Sequence, residues 1–249
     1  MSINTKRQPH HAELQELDAD SGSEDFEEFV YLLSHDIRNS VRALLELPQW
    51  IREDLAATGH RIDGSLAESF DLMDTQTRRL DRMLVDLLAY SRIGRKQSVQ
   101  SMNLAETIRE IITELRPPKG FQITCDLDCM TVQMGEQDIF TLLTALISNA
   151  IKHHHKEGGI IQIKSWSEGR DCVIRVQDDG PGIPERQRER VFAAMTTLKP
   201  RDEVEGSGMG LPIVRKIVAV YGGRVSYGSI HDGSGTALEI RLGAGLSRI

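Results

Sequence analysis

The chain has 249 residues, 39% of them apolar and 27% charged, with a formal net charge of −7. At about 100–200 residues per domain this allows one or two domains, and the acidic balance lacks the basic footprint of a nucleic-acid binder. No run approaches the roughly 18 apolar residues of a membrane span, and MSINTKRQPHHAELQEL has no apolar signal core, so a cytoplasmic protein without nucleic-acid or membrane partners is expected.

The cysteines, Cys125, Cys129 and Cys172, are odd in number and sparse. That argues against a disulfide framework and for a reducing compartment. Cys125 and Cys129 lie in the strand-like run ITCDLDCMTV and read as apolar packing rather than metal ligands.

Residues 1–25 are polar, end in DADSGSED and read as a flexible leader, too short for a folded sensor domain. A helical pattern then begins. Phe26, Val30, Leu33, Ile37, Ser40, Leu44, Leu47 and Ile51 alternate steps of four and three, and so do Leu66, Phe70, Met73, Thr77, Leu80, Leu84 and Leu87. These are heptad seams. Joined by the polar stretch Thr58–Gly64, the two helices predict an antiparallel hairpin. Leu45, Leu55, Met83, Val85 and Leu88 lie outside the seams. Covering them calls for a second hairpin, hence a homodimeric four-helix bundle. Pro48, with no N–H to donate, predicts a kink in the first helix.

After Ser91 the pattern changes. IGRKQSVQSMN reads as a linker with a hinge near Gly94–Ser101. Strands are then predicted at Gln122–Leu127, Ile160–Trp166, Cys172–Gln177, Arg224–Tyr227 and Ala237–Leu242. Helices are predicted at Leu104–Leu115, Gln137–His154, Glu185–Phe192 and Gly210–Tyr221. Together they describe a sheet covered by helices. The expected division is therefore residues 26–95 and residues 96–249.

His35 falls nearly opposite the stripe of Phe26, Val30, Leu33 and Ile37 on the helical wheel and should be exposed. An exposed histidine is ordinarily a solvated bystander. Asp36 beside it, however, is able to orient the ring or accept its proton, and a nucleophilic imidazole nitrogen must be unprotonated. Asn39, one turn on, is placed to position a water.

In the second half, Asp178 opens DDGPGIP, where Gly180 and Gly182 permit tight turns and close ligand approach. An Asp at a strand end suits an exocyclic amine such as adenine's. EGSGMGLPIVRKIV carries Gly206, Gly208 and Gly210 into an amphipathic helix, whose N-terminal N–H groups suit phosphate. Neither a Walker loop nor a dinucleotide fingerprint is present. In LISNAIKHHHKEGG, Asn149 and Lys152 share a helix face: the first is an oxygen donor suited to Mg²⁺, the second a phosphate partner. Consecutive helical residues point about 100° apart, so His153, His154 and His155 do not read as a zinc site.

Taken in order, SHDIRNS, ISNAIK, DDGPG and GSGMGL resemble the H box, N box and two glycine boxes of the sensor histidine kinases of two-component systems. The resemblance covers about residues 26–242. VRALLELPQWIREDL and TTLKPRDEVEGSGMGL are especially similar to phytochrome-type and PAS-linked kinases.

The resemblance implies an α+β chain: a dimerising helical hairpin followed by a Bergerat (GHKL)-type ATP-binding α/β sandwich. It implies phosphorylation of His35 with Asp36 as acid/base partner, a phosphatase-linked Asn39, Mg²⁺ held by Asn149 through ATP, Lys152 on phosphate and Asp178 on adenine. Gly180, Gly182, Gly206, Gly208 and Gly210 would shape the pocket and its lid. The partners implied are a second copy, a response regulator receiver domain accepting the phosphoryl group on aspartate, and a sensor protein or a sensor domain missing from this chain.

The chain departs from the family at Ser40, where proline is usual, at Ala145, where asparagine is usual, and at Met195 and Pro212. Ser40 and Ala145 motivate an alternative, a phosphotransfer or phosphatase adaptor with a weakened ATP site. Another ATPase or a serine kinase of the same class is a further alternative, opposed by the histidine-bearing hairpin.

Overall fold

A computed structural model describes residues 37–38, 40–95, 97–198, 206–230 and 235–243. The chain divides into two compact units, Met1–Ser91 and Arg92–Ile249.

In the first unit, α1 (residues 40–57) and α2 (Gly64–Arg92) form the expected hairpin. Gly59, at φ +76°, ends α1 in the left-handed region that glycine adopts without steric cost. The His60 N–H returns to the Leu55 carbonyl at 2.9 Å. Cross-links give the direction. Arg38 pairs with Asp81 at 3.4 Å, while Arg52 pairs with Asp71 at 3.0 Å and Asp74 at 3.3 Å. Rising numbers on one helix meet falling numbers on the other, so the helices are antiparallel.

The packing corrects the predicted seam. Val41, Pro48, Phe70, Leu84 and Leu88 are buried, with Leu45 and Leu55 half-buried. Of the predicted seam, Phe70 and Leu84 are buried as expected, whereas Ile37, Leu44, Leu47, Ile51, Leu66, Met73 and Leu80 are exposed. Each helix carries two apolar stripes. The heptad count follows one stripe per helix, and on α1 the other one closes the hairpin. Helix α1 runs through Pro48 without interruption.

The second unit is a sheet covered by helices, plus a small ribbon. Strands β1 (Gln100–Asn103) and β3 (Thr131–Met134) pair antiparallel. The main sheet holds β2 (Gly120–Leu127), β4 (Gly158–Glu168), β5 (Asp171–Asp178), β6 (Arg224–Tyr227) and β7 (Thr236–Leu242) in the order β2-β4-β5-β7-β6. Only β2 and β4 are parallel. Helices α3 (Leu104–Leu115), α4 (Glu136–Lys152) and α5 (Gly210–Val220) supply the apolar layer.

Local chemistry sets the element ends. Asn103 caps α3 by accepting from the N–H groups of Ala105 and Glu106 at 3.0 and 3.2 Å. Arg116 ends α3 at φ +46°. Along β4 only Ile161, Ile163 and Ser165 are fully buried, the two-residue period of a sheet with one covered face.

Several expectations change. β1 and β3, of four residues each, were not predicted. The expected helix at Glu185–Phe192 is two 3₁₀ turns, Glu185–Gln187 and Arg190–Phe192, because only Val191 and Phe192 of that charged run are buried. The segment Gly94–Ser101, expected as the hinge, belongs to the second unit. Gly94 N–H and Gln97 Nε2 donate to Asp138 at 3.1 and 3.0 Å, and Gln100–Asn103 belongs to β1.

Cys129 and Cys172 form a disulfide, against the expectation of free thiols. The N–H groups of Asp128 and Cys129 both reach the Ser165 carbonyl, at 2.9 and 3.5 Å, and fold the turn after β2 over β4. That brings the two Cα atoms to 6.0 Å across 43 residues of sequence. Cys125 is free and exposed.

Candidate nucleotide site

Strand register delivers Asp178 to the covered face. Ile174, Val176 and Asp178 are two residues apart on β5, and the first two are buried under the helices. Asp178 therefore ends the inward row, opposite the fully buried Ile161 on β4 and Thr236 on β7. A one-residue slip would turn it to the other face.

Its Oδ1 accepts from the N–H groups of Gly180 at 2.9 Å and Thr236 at 3.2 Å. Among the described residues nothing hydrogen bonds to Oδ2. Burial pushes the Asp178 carboxyl above the ordinary range, against the pull of those two main-chain donors.

Close backbone approach surrounds this carboxylate. Gly182 has φ +75°, and a Cβ there would lie 2.7 Å from the Gly235 carbonyl oxygen. A Cβ on Gly235, at φ +140°, would collide with the Asp178 carbonyl oxygen. Gly235 belongs to the site and escaped sequence reading; its only signal was a glycine directly before a strand.

On α4, Asn149 is half-buried and Lys152 exposed. The Asn149 side chain hydrogen bonds to no described residue, which leaves its carboxamide oxygen available to a cation. Among the described residues no side chain caps the start of α5, and Pro212 stands in its first turn, where a missing N–H is tolerated. Cβ atoms added to Gly206 or Gly210 would meet nothing within 4 Å. Gly208 differs: at φ +78° its Cβ would lie 2.7 Å from the Thr196 carbonyl oxygen. Among the described residues nothing lies against the first and last of these glycines, while the middle one supports the turn. Residues 199–205 lie outside the described residues, as do His35, Asp36 and Asn39.

A second polar cluster was not foreseen. α4 ends at Lys152 rather than His154, so the 100° spacing argument does not hold beyond it. The rings of His154 and His155 stack with centroids 4.9 Å apart. His154 Nε2 lies 3.1 Å from Asp179 Oδ1, which also accepts the Ile160 N–H at 2.7 Å. Desolvation raises the Asp179 carboxyl, but the hydrogen bonds from Ile160 and His154 outweigh it and hold the group below its ordinary value.

Residues 134–245 match the family described as histidine kinase-, DNA gyrase B-, and HSP90-like ATPase. The chain is 32% identical over 242 residues to the methanogenesis regulatory histidine kinase FilI of Methanothrix harundinacea, covering 92% of this chain and 26% of FilI. It is 28% identical over 233 residues to the adaptive-response sensory kinase SasA of Synechococcus, covering 88% of this chain and 59% of SasA. Full-length ShkA in complex with AMPPNP shares the fold, with a TM-score of 0.64 at 22% identity over 86% of this chain and 45% of ShkA. The chain thus spans about a quarter of FilI and three-fifths of SasA.

Proposed function

Since the chain belongs to the sensor histidine kinases with a GHKL-type ATPase domain, we propose that it is an ATP-dependent histidine autokinase whose phosphoryl acceptor is His35. The observation that carries the reading is the Asp178 carboxylate, placed on the helix-facing row of the sheet with Oδ1 held by two N–H donors and Oδ2 left by the described residues for an adenine amine.

The residues present fit Mg-ATP. Asp178 would accept from the base. The uncapped N–H groups at the start of α5 and the space beside Gly206 and Gly210 would receive phosphate. Lys152 would add a positive charge. Asn149 would hold Mg²⁺ through its carboxamide oxygen, and that ion would neutralise charge on the phosphates. Phosphoryl transfer depends mainly on positioning and charge neutralisation. The unprotonated ring nitrogen of His35 would attack the γ-phosphorus as its bond to the β,γ-bridging oxygen breaks and ADP leaves, Asp36 would take the proton from the other nitrogen, and Asn39 would position water for hydrolysis in the phosphatase direction. The phosphoryl group would pass to an aspartate of a response regulator receiver domain.

The exposed apolar stripe of Ile37, Leu44, Leu47, Ile51, Leu66, Met73 and Leu80 supports a second copy as partner, closing a four-helix bundle. The test is incubation with γ-labelled ATP. Wild type should acquire an acid-labile label; His35→Gln and Asp178→Asn should not. An acid-stable label, or one that survives His35→Gln, defeats the reading.

A further inference from the structure

His154 is a buried polar group that the phosphoryl-transfer scheme leaves unused. Its side chain is 1% exposed, whereas Asp179 is 46% exposed, so the imidazole is held inside while its partner reaches the surface. A buried ring must satisfy both nitrogens. Both have partners: Nε2 lies 3.1 Å from Asp179 Oδ1, and Nδ1 lies 3.2 Å from both the N–H and the carbonyl oxygen of Lys156. Phe121 of β2 meets the ring edge-on, with centroids 5.4 Å apart.

The surrounding backbone is shaped for this pair. A Cβ on Gly159 would lie 2.5 Å from His154 Nε2 and 2.7 Å from Asp179 Oδ1. A Cβ on Gly180 would lie 3.2 Å from His154 Cδ2 and 2.8 Å from Asp178 Oδ1. Glycine on both sides is what lets the imidazole and the carboxylate meet. The Asp179 N–H also donates to the Ile160 carbonyl at 3.3 Å, so the residue after Asp178 is pinned by side chain and main chain alike. His154 comes one residue after the C-cap His153 of α4, whose last turn bears Asn149 and Lys152. One ring thus links the end of α4 to the turn that presents Asp178.

Resting on the nucleotide reading above, we propose that His154 is a positioning residue for adenine recognition, clasping Asp179 through Nε2 and so fixing the turn that aims the Asp178 carboxylate. It touches no nucleotide itself. Sites held loosely by their supporting residues lose affinity through misplacement rather than lost contact.

The experiment is calorimetric titration of the full chain with Mg-ADP, comparing wild type with His154→Leu, His154→Gln and Asp179→Ala, each checked for folding by circular dichroism. His154→Leu should weaken binding roughly tenfold. His154→Gln, whose amide N–H can still reach Asp179, should bind close to wild type. Asp179→Ala, a truncation at an exposed side chain, should weaken binding as His154→Leu does, and the double variant should be no worse than either. Should His154→Leu fail to fold, Asp179→Ala and His154→Gln still decide. Wild-type affinity in His154→Leu or Asp179→Ala, or equal losses in His154→Leu and His154→Gln, overturns the clasp while leaving the nucleotide reading intact. Failure of wild type itself to bind Mg-ADP defeats both.

Discussion

The Tyr221 hydroxyl donates to Asp138 Oδ2 at 2.7 Å across 83 residues of sequence, and it accepts the Gly135 N–H at 3.0 Å. Asp138 is 3% exposed and also receives Gly94 N–H and Gln97 Nε2. A buried carboxylate is tolerable only when so fully bonded. One acid thus joins α4, the end of α5 and the segment leading into β1. Tyr221→Phe orphans the Gly135 N–H and leaves the carboxylate one donor short; it should cost about 1–3 kcal/mol in denaturant unfolding.

That pair also has an alkaline signature. Burial, then the bond to Asp138, push the Tyr221 pKa up to about 12. The folded chain holds this proton more tightly than the unfolded one. The associated stability is complete below the ordinary value near 10 and is lost as pH rises through about 12. Tyr227 is also raised to about 12, chiefly by burial. Tyrosinate absorbance should therefore show a late-titrating component to which Tyr221 and Tyr227 contribute, and Tyr221→Phe should diminish it.

Asp178 should separate stability from binding. Its raised pKa means that ionisation is less favourable in the folded chain than in the unfolded one. The cost is absent below the ordinary carboxylate pKa and present above it. Asp178→Asn removes that charge and keeps an oxygen for the Gly180 and Thr236 donors. It should melt at or above the wild-type temperature at neutral pH, yet lose Mg-ADP binding in calorimetry. A fall in melting temperature would show that the carboxylate is structural.

The glycines should sort into two groups. Gly235→Ala forces a Cβ onto the Asp178 carbonyl at a φ that alanine avoids and should cost about 2 kcal/mol or more. Gly210→Ala meets no atom within 4 Å and lies in a helical first turn, so its melting temperature should hold. If phosphate is received there, Gly210→Ala should still weaken nucleotide binding.

The two stripes of the hairpin should behave differently. Leu44→Glu with Ile51→Glu places charge on the exposed stripe and should shift light-scattering mass from dimer to monomer without loss of helical signal. Leu84→Ala opens the buried stripe and should cost about 2–5 kcal/mol in unfolding.

Much of this molecule was legible in short windows of sequence. The heptad steps located the hairpin. Alternation and turn residues located β2 and β4 to β7, and DDGPG and GSGMGL marked a strand end and a helix start whose geometry suits a nucleotide. Each of these signals is local, because periodicity and turn chemistry depend on neighbours a few residues apart. Tertiary structure alone decided which stripe of α1 lies inside, since both are apolar. It alone brought His154 to Asp179, Tyr221 to Asp138 and Cys129 to Cys172. Those meetings follow from the strand order β2-β4-β5-β7-β6 and the helices laid on one face, a spatial arrangement that no run of adjacent residues encodes.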